Sequence, residues 1–86
     1  MKADTIIKEV QLARSFEEAG KALDKTSQLD LSERVRFAGL LKSSFKDNAD
    51  KTIGFQIIEI EPLNDLKTAE KPEFRVVARS PRSKKL

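Results

Sequence analysis

Glu59 and Glu61 are the side chains of this chain best spaced for acid–base chemistry. Two positions apart on a strand, they project from one face about 7 Å from each other, a separation compatible with paired-carboxylate hydrolysis. The same spacing suits a simpler role. Arg75 and Arg79 share one face of a second strand and could neutralise both acids across a sheet. The second role is favoured, because the sequence has no Trp and no Tyr to form a sugar platform and is too short to enclose a deep cleft.

His and Cys are absent as well. Their absence removes most general bases and activated nucleophiles, together with the usual ligands of zinc and other transition metals. Asp47-Asn48-Ala49-Asp50 begins like a calcium loop. It lacks the glycine and the later oxygen ligands that such a loop needs, so it reads as a helix-stopping turn. Gly20, Gly39 and Gly54 stand singly and build no phosphate-cradling loop. No catalytic, cofactor-binding or metal-binding residue is assigned, and the expectation is a protein that is not an enzyme.

The remaining chemistry is electrostatic. From Arg75 to Leu86 the chain carries five cations and no carboxylate, against a net charge of +3 for all 86 residues. Arg75 and Arg79 belong to a strand face, while Arg82, Lys84 and Lys85 follow on an arm. Arginine forks suit bidentate phosphate contacts, and a mobile arm suits non-specific tracking of a phosphate backbone. Arg34 and Arg36 would extend this basic surface onto a helix. The candidate nucleic-acid-binding residues are therefore Arg75, Arg79, Arg82, Lys84, Lys85, Arg34 and Arg36.

The elements that must position these residues follow from caps and periodicity. Ser15-Phe16-Glu17-Glu18 and Asp30-Leu31-Ser32-Glu33 are capping boxes. They open amphipathic helices over about 16–25 and 31–46, the second with a stripe of Leu31, Val35, Ala38, Leu41 and Phe45 and with Phe37 beside it. Two strands follow, at about 52–61 and 73–79, as a C-terminal antiparallel pair. In the first, the apolar phase slips by one residue between Ile57 and Ile58, the signature either of a β-bulge or of burial on both faces. The long connection between Pro62 and Pro72 is expected to return Leu63 and Leu66 to the core. Residues 5–14 fit either a further strand, from the β-branched Thr5, Ile6, Ile7 and Val10, or an extension of the first helix. The fold class is α+β: residues 1–79 form one small globular domain and residues 80–86 a flexible basic tail.

Composition sets the remaining expectations. A domain this small buries a marginal core, and without disulfides or a metal the usual remedy is self-association, so a homodimer is expected. Met1–Val10 is interrupted by Lys2, Asp4, Lys8 and Glu9, and no apolar run reaches membrane-spanning length. The expected setting is the cytoplasm, with no membrane partner. The leading functional reading is a small non-catalytic nucleic-acid-binding protein with RNA slightly preferred over DNA. The alternative is a protein-binding adaptor or inhibitor of the phage or mobile-element type that blocks a host or toxin protein, with RNA as a possible bridge.

Overall fold

The computed structural model describes residues 1–45 and 55–79. The expected helix end at Lys46, the turn at 47–50, the start of the first strand at 52–54 and the tail at 80–86 lie outside the described residues. Among the described residues, three helices pack on a two-stranded antiparallel sheet, an α+β arrangement. The helices are α1 (Ala3–Gln11), α2 (Phe16–Asp24) and α3 (Leu31–Ser44), and the strands are β1 (Gln56–Pro62) and β2 (Phe74–Arg79).

Of the two readings of residues 5–14 the helical one holds over most of the segment, as the separate helix α1 rather than a continuous extension of α2; its buried residues are Ala3, Ile6, Ile7 and Val10. That i, i+3, i+4, i+7 spacing gathers four apolar groups on one face. Burying that face outweighs the modest strand preference of β-branched residues. α1 and α2 remain separate because Ser15 adopts an extended φ of −156° and caps α2.

The caps show how the helices are joined. Ser15 accepts a hydrogen bond from the Glu18 amide at 3.1 Å, and Glu18 Oε1 accepts from the Arg14 amide at 2.9 Å. At α3, Asp30 accepts from the Glu33 amide at 2.9 Å, but Glu33 does not reach back to its own N-cap. It accepts instead from the Ala3 amide at 2.8 Å, thirty residues earlier. The N-cap of α1, Lys2, offers no side-chain acceptor. A side chain of α3 therefore satisfies one of the donors that every helix N-terminus leaves open.

α2 runs into a 3-10 turn (Lys25–Gln28), where the buried Thr26 hydroxyl donates to the Leu23 carbonyl at 2.6 Å. α3 buries Phe37 and Leu41, with Phe37 fully enclosed at 0% exposure, and its C-cap Phe45 is buried as well. The Phe37 ring meets Phe74 of β2 edge-on at 5.8 Å and so links helix to sheet. Leu31 and Val35 face outward. The single stripe expected from sequence is thus two flanks of one helix.

In the sheet, Ile57 pairs with Ala78, Glu59 with Val77, Ile60 with Val76 and Glu61 with Arg75. Between Ile57 and Glu59 β1 advances two residues while β2 advances one. Ile58 is the extra residue of a bulge and is 37% exposed, which decides against burial on both faces. Ile57 and Ile60 stay in the core on either side of it. In the β1–β2 connection Leu66 is buried and Leu63 is exposed. The Leu63 amide donates to the Glu73 carbonyl at 2.8 Å, and Asn64 bridges Lys71 and Glu73.

Candidate interaction surface

The structure separates the seven candidate cations. Arg75 lies on the outer face of β2, where its Nε donates to Glu61 Oε1 at 3.1 Å and its Nη2 forms an ion-pair contact with the same oxygen at 3.0 Å. The register produces this contact, since Glu61 and Arg75 are directly opposed. The bulge carries Glu59 one step further, opposite Val77. Arg79 is opposite Gln56 in the backbone register. Its side chain, and Arg82, Lys84 and Lys85, lie outside the described residues.

Arg34 does not extend a basic surface. It is 9% exposed, and its guanidinium donates to four main-chain carbonyls. Nε bonds Leu29 at 3.1 Å, Nη1 bonds Leu66 at 3.1 Å and also Ala69, and Nη2 bonds Ser27 at 3.3 Å. The 3-10 turn and the β1–β2 connection are thereby held to α3 through one side chain. A guanidinium has donors enough, in a fixed plane, for this task. The signal was present in the sequence: positions 34, 37 and 41 are spaced i, i+3, i+7, which places Arg34 on the same flank as Phe37 and Leu41.

Arg36 is on the surface but engaged. Its Nε and Nη2 donate to the two carboxylate oxygens of Asp4 at 2.8 and 3.0 Å, a bidentate fork tying α3 to α1. The hydrogen bond and charge of Arg36 hold the Asp4 carboxyl below the usual carboxylate range, and Asp4 in turn raises Arg36. Lys25 pairs with Glu9 at 2.7 Å. The two arginine–carboxylate pairs are solvent-exposed, so each contributes little to stability.

Charge is unevenly divided along the chain. Residues 1–45 and 55–79 carry twelve Lys and Arg against twelve Asp and Glu. Residues 46–54 carry two of each, and residues 80–86 carry three cations and no acid. The whole net charge of +3 thus equals that of the last seven residues.

A surface not foreseen from sequence lies between α3 and β1. Ala38, Leu41, Lys42 and Phe45 form one wall and Ile58–Pro62 the other, around about 420 Å³ of open groove. On the same helix Leu31, at 60% exposure, and Val35, at 48%, are also exposed. Among the described residues, no group of three or more His, Cys, Asp or Glu could hold a metal ion, and no helix is long and apolar enough to cross a membrane. Comparison with protein-family models, curated proteins and solved structures finds no match to this chain.

Proposed function

We propose that this is a small, non-catalytic nucleic-acid-binding protein of the cytoplasm that acts as a homodimer, with RNA slightly preferred over DNA. Phosphate contact comes from Arg82, Lys84 and Lys85, with Arg79 at the end of β2 leading into them. What supports this reading is the division of charge: a neutral body, with Arg34, Arg36 and Arg75 engaged internally, followed by a wholly cationic end. Such an end gives affinity without base readout. Three phosphate contacts per chain correspond to a fall of log K with log salt at a slope of about −2 to −3.

The test is fluorescence anisotropy of a labelled single-stranded RNA over a salt series, with the full chain and with a chain ending at Arg79. Loss of binding and of slope on truncation is expected. An unchanged slope overturns the reading.

A second reading, a protein-binding adaptor or inhibitor, is favoured by the apolar groove between α3 and β1. In that case partners survive nuclease treatment and are lost with Ile58→Lys. In the first case nuclease removes them.

A further inference from the structure

α3 carries apolar side chains on two flanks. Phe37 and Leu41 face the core, whereas Leu31 and Val35 are exposed, with Ala38 half-buried and Lys42 exposed beside them. An exposed apolar flank on a helix that already has a buried one points to a further packing partner. The residues of this outer flank, 31, 35, 38 and 42, are spaced 4-3-4, the spacing of successive seam positions in a heptad.

A 4-3-4 spacing reads the same in both directions. Two copies of α3 laid antiparallel about a two-fold axis between Val35 and Ala38 therefore match their own seam. Val35 falls over the partner's Ala38, and Leu31 over the partner's Lys42. This is the self-complementarity that a two-fold interface demands.

The charges obey the same symmetry. Lys42 makes no ion pair among the described residues, and it sits in the last turn of α3. Antiparallel packing brings it to the first turn of the partner helix. There its aliphatic stem covers the partner's Leu31 and its ammonium reaches the partner's Asp30. Asp30 uses Oδ1 to cap the Glu33 amide, and a carboxylate has further lone pairs to offer. Each helix thus meets a cation at its acidic N-terminus and an anion at its basic C-terminal turn, twice over.

The centre of the seam is small. A Cβ built on Gly39 meets nothing within 4 Å inside the chain, so the bare backbone there answers no internal crowding. With Ala38 it lets a second helix approach to the short end of ordinary interaxial distances, about 8 Å.

We infer that this chain pairs with a second copy of itself through the Leu31–Val35–Ala38–Lys42 flank of α3, antiparallel about a two-fold axis. The inference rests on the homodimer part of the reading above and not on its phosphate-binding part. It also gives the exposed flank of α3 an occupant without a foreign protein.

The test begins with the solution mass by light scattering over a concentration series, where the expected limit is twice the 9.7 kDa of one chain. Val35→Lys is expected to yield the single-chain mass with an unchanged circular dichroism spectrum, because Val35 is exposed in the isolated fold. Lys42→Glu, which sets like charges together, is expected to weaken association roughly tenfold at low salt, and Lys42→Arg to preserve it. Because the chain has no native cysteine, a mixture of Val35→Cys and Ala38→Cys chains can be oxidised mildly and read on a non-reducing gel. Cross-linking well above that of Leu12→Cys chains is expected. A dimer mass that survives Val35→Lys places the interface elsewhere and overturns the inference while leaving the homodimer. So does cross-linking no better than the control. A wild-type chain of single mass at every concentration overturns both. None of these outcomes alters the salt dependence of RNA binding, which is measured separately.

Discussion

The guanidinium of Arg34 donates to the main-chain carbonyl of Leu66 at 3.1 Å, across thirty-two residues of chain. One side chain of α3 thereby fixes the connection between the strands. With its further bonds to Leu29, Ser27 and Ala69 it does the same for the 3-10 turn. The cation has only neutral carbonyls for partners in these contacts, so its stability depends on their number and alignment rather than on a counter-charge.

Removing the fork takes the donor from the buried bonds to the Leu29 and Leu66 carbonyls and from the part-buried bonds to Ala69 and Ser27. Arg34→Ala is expected to destabilise the chain by about 3 kcal/mol or more, measured as a shift of the urea midpoint. Arg34→Lys recovers only part of this, because an ammonium cannot reproduce the planar fork. A fall in RNA affinity with unchanged stability would contradict the structural role.

Glu61 neutralises Arg75 on the outer sheet face. If that face lies along RNA, Glu61→Gln releases one arginine for phosphate. The salt slope then steepens by about 0.7–0.9, the contribution of one added contact. Anisotropy titrations of the two chains decide this, and an unchanged slope confines binding to the terminal segment.

The Asp4–Arg36 pair gives stability a pH dependence. Arg36 holds the Asp4 carboxyl below its usual range, so the folded state binds this proton less readily than the unfolded chain does. The contribution is complete above the ordinary aspartate value, near pH 4, and is lost as pH falls through the lower value of the folded state. Asp4→Asn should accordingly lower the urea midpoint at neutral pH, with the difference shrinking below about pH 4. A difference independent of pH would show that the pair is not the cause.

Gly39 lies in the middle of α3, where an alanine methyl meets open space. Gly39→Ala is expected to stabilise the isolated chain by up to about 1 kcal/mol, because glycine loses more backbone freedom in a helix. Urea unfolding at low protein concentration reads this gain. At high concentration the added methyl sits beside the proposed helix crossing and is expected to weaken self-association.

The sequence by itself determined the elements whose signals are local. Ser15 and Asp30 mark the starts of α2 and α3, because capping requires a side-chain oxygen at one position relative to the first turn. The slipped phase at Ile57–Ile58 marks a break in the strict alternation of a strand, and only the register and the exposure of Ile58 make it a bulge rather than burial on both faces. Wherever two faces competed, sequence left the outcome open. Residues 3–11 hold both a helical spacing and β-branched side chains, and only the chance to bury Ile6, Ile7 and Val10 against the other helices made them α1.

Tertiary structure also decided which charged groups remain on the surface. Residue type does not distinguish Arg34 from Arg36; only the helical spacing that sets Arg34 beside Phe37 and Leu41 does. Their directions around α3 differ by about 200°, so one points inward to main-chain carbonyls and the other outward to Asp4. The same rotation splits one apparent apolar stripe into a buried flank at Phe37 and an exposed flank at Leu31 and Val35. Periodicity states which residues share a face. Which face is covered depends on neighbours distant in sequence.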